Sequence, residues 1–278
     1  MVRPHIDFLQ SQLLPWQASR WAHLPGCQTK ILSRDPDTGA MSLLVRFPAG
    51  WALSESGFLA AGEELFVIDG ALDLDGRRFG VDCYGFCAAG CRHAARAAPD
   101  GAVALVFYDA EPAWRRDAPP VNSPPVMSFV DAFEVAWLAA GMVAAYGTGH
   151  RTKFLRGSMA STSATLLLST GPHLHPPGWL APQVIHPCTE ELFLLSGDFL
   201  CSAGAMASGA YVWRPAGIPH GPYASRGGNL ALLRTHGAPL STRYTAHEIT
   251  LERVPEYQPV LPGEFAAHVA HPWRAQRY

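Results

Sequence analysis

The sequence predicts an all-β protein made of two similar domains in tandem. Three observations support this prediction: an internal repeat runs along the chain, its apolar runs are short and bounded by turn residues, and neither copy contains a long amphipathic helix. The 278 residues are 48% hydrophobic and 16% charged, with 26 glycines and 24 prolines. Such a composition is typical of a turn-rich globular protein and argues against a disordered chain.

The repeat is clearest around two glutamate pairs. The segment Glu63–Gly70, EELFVIDG, recurs in the second half of the chain as Glu190–Gly197, EELFLLSG. His93 and His220 are related by the same offset in numbering as these two segments. Matching segments in the same order indicate a duplicated unit of short buried strands. The sequence therefore predicts two antiparallel β-barrels or sandwiches.

The repeat also suggests domain boundaries. We assign residues 1–112 to an N-terminal domain and 129–278 to a C-terminal domain. Residues 113–128 contain four prolines between positions 119 and 125, which predicts a stiff, extended linker. Residues 129–142 are expected to form one short helix before the second domain.

The charge pattern excludes several classes of partner. A formal charge of −2 and a pI near 6.6 give no basic surface for nucleic acid or an anionic membrane. The first residues lack the continuous apolar segment of a signal peptide, so we expect a cytoplasmic protein that acts on a small molecule.

The six cysteines are therefore expected to be free thiols. Cys83, Cys87 and Cys91 recur every four residues, but they lack the C-x-x-C spacing of zinc sites. We interpret them as small apolar side chains of the core, although a metal cluster is the alternative.

Two motifs of the second copy resemble a known superfamily. Gly209–His220 follows G-x5-P-x-G-x2-H and resembles the second conserved motif of the cupins, without the asparagine often found where Ala224 stands. His186 and Glu190, followed by Gly197, resemble the second half of the first motif, H-x-H-x3-E-x6-G. The sequence around these motifs is most similar to that of cupins related to the ChrR-type anti-sigma-factor sensors. The resemblance implies two tandem cupin barrels, each a double-stranded β-helix or jelly roll, that is, a bicupin.

The resemblance also implies a metal site at His186, Glu190 and His220. Val184 stands where the first histidine of the H-x-H pair is usual. In a strand, residues 186, 188 and 190 face the same side, so the first two ligands converge with Cys188 between them. Two imidazoles and one carboxylate leave coordination positions open, which favours Fe(II), although zinc or manganese also fits. The alternative is a hydrogen-bonded remnant without metal.

An insertion in the second copy carries two further histidines. About five extra residues precede Gly178, and they include His173 and His175. Either histidine could take the coordination position lost at Val184. The alternative is an exposed loop with two solvated histidines.

The first copy is poorer in ligands. Only Glu63 and His93 are retained, and Gly57 and Leu59 stand where the histidine pair is usual. One carboxylate and one imidazole rarely hold a divalent ion. We interpret this domain as structural, packing against the other domain or forming the surface of a homodimer.

Other side chains near the second motif are candidates for a substrate pocket or for ordinary core. They share an aromatic, basic or thiol group close to the proposed ligands: Trp179, Cys188, Tyr211, Trp213, Arg214 and His236.

The leading hypothesis is a dioxygenase-type oxidoreductase that acts on a small organic molecule through Fe(II). The same site with zinc or manganese would suit an isomerase, hydrolase or lyase. A non-enzymatic sensor or metabolite-binding protein is the third reading, because fold alone does not define function.

Overall fold

The structure is a computed structural model that describes residues 3–117, 127–139 and 149–269. Within these ranges the regular secondary structure is almost entirely β-strand, with two short 3-10 helices, Ser11–Leu13 and Gly263–His268. The all-β class is therefore confirmed. None of the described helices is long and apolar enough to cross a membrane.

Unit one consists of Arg3 and the described residues of Pro15–Val135. The strands are β2 (Gln17–Ala18), β3 (Gln28–Arg34), β4 (Met41–Phe47), β5 (Trp51–Leu53), β6 (Gly57–Leu59), β7 (Glu63–Gly70), β8 (Leu72–Leu74), β9 (Arg77–Phe79), β10 (Cys83–Cys87), β11 (Arg92–His93), β12 (Arg96–Ala98), β13 (Ala102–Tyr108), β14 (Trp114–Arg115) and β15 (Ser128–Asp131). The largest sheet has seven strands in the order β15-β10-β7-β13-β4-β3-β2, and two smaller sheets run β11-β6-β14 and β5-β12-β8-β9. Apolar side chains from these sheets form one buried cluster.

Unit two consists of Pro4–Leu14 and the described residues from Ala136 onward. The strands are β1 (Ile6–Gln10), β16 (Leu138–Ala139), β17 (Arg151–Arg156), β18 (Ser163–Thr170), β19 (Leu180–Ile185), β20 (Thr189–Cys201), β21 (Gly204–Ala207), β22 (Ala210–Arg214), β23 (Asn229–His236) and β24 (Arg243–Thr250). The main sheet runs β1-β22-β20-β23-β18-β17-β16, with β21 paired to β20, and β19 pairs with β24. The N-terminal strand β1 is thus an edge strand of this unit.

The glycine that ends the repeated motif has a steric role. Gly70 and Gly197 have positive φ angles of 68° and 80°. A Cβ at either position would collide with a backbone carbonyl oxygen, that of Gly101 or Gly228. Only glycine accepts this conformation and this close approach without strain, which explains its fixed distance from the glutamate pair.

The repeat extends to a buried hydrogen bond. The Tyr84 hydroxyl donates to the Glu64 carboxylate at 2.7 Å, and the Tyr211 hydroxyl donates to Glu191 at 2.6 Å. Glu191 also forms an ion pair with Arg234. Glu191 is buried, because these two partners satisfy its charge.

The prediction of a helix at 129–142 is wrong. In the described part of 129–142, residues 128–131 form β15, which pairs with β10, and 138–139 form β16. No helix appears there, since the strand hydrogen bonds complete the sheet edge; residues 140–142 lie outside the described residues. The linker prolines at 119–125 lie outside them too.

The cysteine prediction is also corrected. Cys87 and Cys91 form a disulfide, because the turn after β10 brings their Cα atoms to 5.9 Å. Cys27, Cys83, Cys188 and Cys201 are free and buried, as expected for small core side chains.

The strand pairing of the described residues gives open sheets. Closure of each unit into a barrel therefore stays a prediction.

Candidate metal centre

The turn after β22 brings the two predicted motifs of unit two together. His220 pairs with Val184 through two backbone hydrogen bonds of 2.9 and 3.0 Å. The Gly217 amide donates to the His186 carbonyl at 2.9 Å. Residues 186–188 form a bend between β19 and β20 and not the continuous strand we expected, since Pro187 has no amide hydrogen for a ladder.

His186, Glu190 and His220 are buried and place their ligand atoms within 4.8 Å of one another. The Nε2 atoms of His186 and His220 lie 3.6 and 3.1 Å from the Glu190 carboxylate. The Nδ1 atoms lie 2.7 Å from the Ser241 carbonyl and 3.0 Å from the Ile218 carbonyl. A carbonyl oxygen only accepts, so both Nδ1 atoms carry the hydrogen. Both Nε2 atoms therefore face the Glu190 carboxylate.

Burial and neighbouring charges shift the pKa values of Glu190 and His220. Burial alone would raise the pKa of Glu190, but His220, His186 and Arg214 together hold that pKa well below its usual range. Burial, helped by the Arg214 guanidinium, lowers the pKa of His220 and so favours its neutral form. An ionised carboxylate and neutral imidazoles are the forms that coordinate divalent ions.

The triad lies in the wall of a cavity of about 300 Å³ within unit two. Glu190 and Arg214 are the charged side chains of its wall, beside His150, His186, His220 and Tyr223. Most other lining side chains are apolar, among them Phe154, Leu166, Leu192, Phe199, Leu233 and Leu240. A small, mostly apolar cavity with a few convergent polar groups is the usual form of a ligand site.

Of the six residues we considered for the pocket, Arg214 lines the cavity. Tyr211 is bonded to Glu191, and the neighbouring Trp213 pairs with Ile6. Cys188 is buried outside the lining, and burial raises its pKa to about 11. Trp179 stacks on His175, and His236 lies beside Ser163 at 3.2 Å.

The structure does not bring the two loop histidines to the triad. His173 pairs with Ser225 through the backbone, and its Nδ1 donates to the Gly171 carbonyl. His175 lies against Trp179 at 3.5 Å between ring centroids, and its Nε2 is 3.2 Å from the Tyr223 carbonyl.

Unit one contains a different buried cluster at the equivalent position. Arg96 forms a bidentate ion pair with Glu63, and Arg96 Nη2 also lies 2.9 Å from the His93 ring nitrogens. Tyr108 donates to the same carboxylate at 3.1 Å. Burial would raise the pKa of Glu63, but Arg96 more than offsets this effect and lowers it to about 2. A guanidinium therefore neutralises the carboxylate, and Glu63 and His93 do not fit a metal ion here.

Cys87, Cys91 and His93 also bring ligand atoms within 4.8 Å of one another. The disulfide joins the two sulfur atoms, so neither is available as a thiolate ligand.

Sequence reasoning missed three residues near the triad. Tyr223 and His150 line the cavity, and Asp7 binds Arg214 from β1. The repeat offers a signal for Tyr223, because Tyr223 follows Arg96 at the same offset that relates His220 to His93. Asp7 precedes the repeat and gave no signal.

The comparisons place the chain in a family. Residues 18–243 match the model of DUF4437, a domain of unknown function, and the chain belongs to this family. No curated protein matches the sequence.

Several solved structures share the fold. A "putative dioxygenase" of Nostoc punctiforme is 21% identical with a TM-score of 0.72, covering 89% of this chain and 87% of that one. Protein YlbA of E. coli is 16% identical with a TM-score of 0.58, covering 84% and 93%. A deletion mutant of oxalate decarboxylase OxdC from Bacillus subtilis is 14% identical with a TM-score of 0.54, covering 88% and 80%. These likenesses support the cupin-type fold that the motifs suggested.

Proposed function

We propose that this protein is a bicupin enzyme that binds a divalent ion, preferably Fe(II), through His186, Glu190 and His220, and oxidises a small organic molecule with O2. The observation that carries the proposal is the orientation of both imidazoles. Their Nδ1 hydrogens are held by backbone carbonyls, and their Nε2 atoms face the same carboxylate. Metal-binding histidines are usually oriented in this way by a partner of the second nitrogen.

The donor set fits the ion. Two imidazole nitrogens and one carboxylate match the facial triad of non-haem Fe(II) oxygenases and leave positions for ligands. A bound Fe(II) would supply O2 activation that no side chain can provide. The "putative dioxygenase" of Nostoc punctiforme, which shares the fold, agrees with this assignment.

The protein's own groups position the reactants. The apolar wall would exclude water and hold an apolar substrate against the triad. Arg214 Nη1 donates to Glu190 at 3.1 Å and fixes the carboxylate. Burial raises the pKa of Tyr223 well above its usual value, so its hydroxyl stays protonated in the cavity wall.

The first test is elemental analysis of untagged protein, as purified and after anaerobic addition of Fe(II). We expect close to one metal per chain, lost in His186→Ala and in His220→Ala. His247→Ala removes an exposed histidine and is the matched control. An oxygen electrode with a panel of small apolar substrates then measures turnover.

The outcomes separate the candidate functions. Iron with substrate-dependent O2 uptake supports the dioxygenase. Zinc or manganese without O2 uptake would favour a lyase, isomerase or hydrolase, and the likeness to oxalate decarboxylase makes a lyase the second candidate. A parent protein that retains no metal after reconstitution contradicts both and favours a metal-free binding protein.

A further inference from the structure

Asp7 lies next to the proposed metal centre, although it stands near the start of the chain and the three ligands lie in the second copy of the repeat. Strand β1 pairs with β22 and places Asp7 opposite Val212. On the other side, Asp7 exchanges two backbone hydrogen bonds with Val260, at 2.9 and 2.8 Å. The backbone of Asp7 is therefore fixed from both sides.

The Asp7 carboxylate engages the cation of the cavity. Its Oδ2 accepts from Arg214 Nη2 at 2.9 Å and from Nε at 3.3 Å. The remaining nitrogen, Nη1, donates to Glu190. All three nitrogens of the buried guanidinium thus face carboxylates of the protein. Arg214 is not presented as the two-pronged clamp that arginine forms with a substrate carboxylate.

The charge balance limits what the cavity can accept. With a divalent ion bound, the two carboxylates and the guanidinium leave a net charge of plus one. One anionic oxygen on the ligand would neutralise the site. A dianion would leave an uncompensated negative charge in an apolar cavity, which is costly because buried charges need a partner.

The remainder of the wall favours an apolar body. Phe154, Leu192, Phe199 and Leu233 are among the side chains that line the cavity. A volume of about 300 Å³ is at the small end of ligand pockets.

We propose that Asp7 determines the charge selectivity of this site: by occupying Arg214, it restricts the cavity to apolar monoanions and excludes small dianions such as oxalate. The proposal rests on the proposed metal centre, and it names the substrate class of that centre.

The test is isothermal titration calorimetry of the zinc-loaded protein with benzoate and with oxalate, so that binding is measured without turnover. In the parent, benzoate should bind at least about tenfold more tightly than oxalate. Asp7→Asn keeps the side-chain shape, replaces the ion pair with a weaker neutral hydrogen bond and removes one negative charge from the site. In this variant, the ratio of the oxalate to the benzoate dissociation constant should fall by about tenfold or more. Asp100→Asn makes the same charge change at an 84% exposed side chain of unit one and should leave the ratio unchanged.

Several results would overturn the proposal. Oxalate binding as tightly as benzoate to the parent would contradict it without any variant, and so would an absence of benzoate binding. An unchanged ratio in a folded Asp7→Asn protein, checked by circular dichroism, would contradict the role of Asp7. A parent that retains no zinc or iron by elemental analysis contradicts the metal centre itself, which separates the two failures.

Discussion

Arg96 and Tyr223 occupy equivalent positions of the repeat, and their side chains give the two units different interiors. In unit one, the Arg96 guanidinium supplies the positive charge beside the glutamate and the histidine. In unit two, Tyr223 brings no charge to this position, and its side chain lines the cavity. This position, together with Leu59 at the place that His186 takes in unit two, distinguishes a structural ion pair from a candidate metal centre.

The Arg96–Glu63 pair should make a large contribution to the stability of unit one. Arg96→Met leaves Glu63 buried without its cation, and we expect a loss of about 3–5 kcal/mol at pH 7. Urea unfolding followed by circular dichroism measures it. Arg78→Met, at a 57% exposed ion pair, should cost less than about 1 kcal/mol. Equal effects of the two substitutions would show that the buried pair has no special role.

The same pair predicts a pH dependence. The pKa of Glu63 is about 2 in the folded protein, below its ordinary value of 4.5. The stabilisation is therefore complete above about pH 4.5 and is lost as the pH falls towards 2. In Arg96→Met, burial without the guanidinium raises the pKa of Glu63. The difference in the free energy of unfolding between the parent and this variant should therefore become smaller as the pH falls. Urea midpoints of both proteins between pH 7 and pH 3 provide the measurement. A difference between the two midpoints that does not change with pH would contradict the stabilising pairing of ionised Glu63 with Arg96.

At the scale of the elements, the strands could be predicted where their signal was local. Glu190 and Leu192, two residues apart along β20, both line the cavity, whereas Cys188, which was expected on the same face, lies outside the lining. The contribution of β1 could not be predicted, since its partner β22 is far along the chain and Asp7 lies before the repeat. The expected helix at 129–142 failed for a similar reason, because β10 provides a distant strand partner.

Strand β1 should be essential to unit two. Phe8 is buried among the core residues of this unit, and its ring lies 5.0 Å from that of Tyr257. Phe8→Ala should destabilise the unit by about 3–5 kcal/mol, because it opens a cavity in a packed core. Phe133→Ala, at a side chain that is 75% exposed, is the matched control and should change stability by less than about 0.5 kcal/mol. Differential scanning calorimetry would detect the difference, and similar transitions for the two variants would contradict the packing of β1.

The disulfide in the turn after β10 can be tested by counting free thiols. Protein unfolded in guanidinium without reductant should react with iodoacetamide at four cysteines, since Cys87 and Cys91 are joined. Cys87→Ser removes one partner and frees the other, so five should react. Mass spectrometry counts the modifications, and six in the parent would restore the original prediction of free thiols.

At the scale of the whole molecule, the duplication provides an internal control for metal binding. The matching strands β7 and β20 carry Glu63 and Glu190, respectively. Glu190 belongs to a triad with two imidazoles, whereas Glu63 does not. Zinc should therefore stabilise the region around His186–Leu192 and Arg214–Gly221, because binding to the folded state alone shifts its opening equilibria. At one hundred times the dissociation constant, the gain is about 2.7 kcal/mol.

Hydrogen–deuterium exchange with and without zinc should thus slow at the amides of 184–192 and 214–221, whereas β7 should be unaffected. In unit one, the fixed guanidinium of Arg96 already neutralises Glu63, so an added ion would have to displace it. His220→Ala should abolish the protection in unit two, and the exposed-site variant His247→Ala should retain it. Equal protection of β7 and β20 would mean that both copies bind metal, and it would overturn the distinction between the two units.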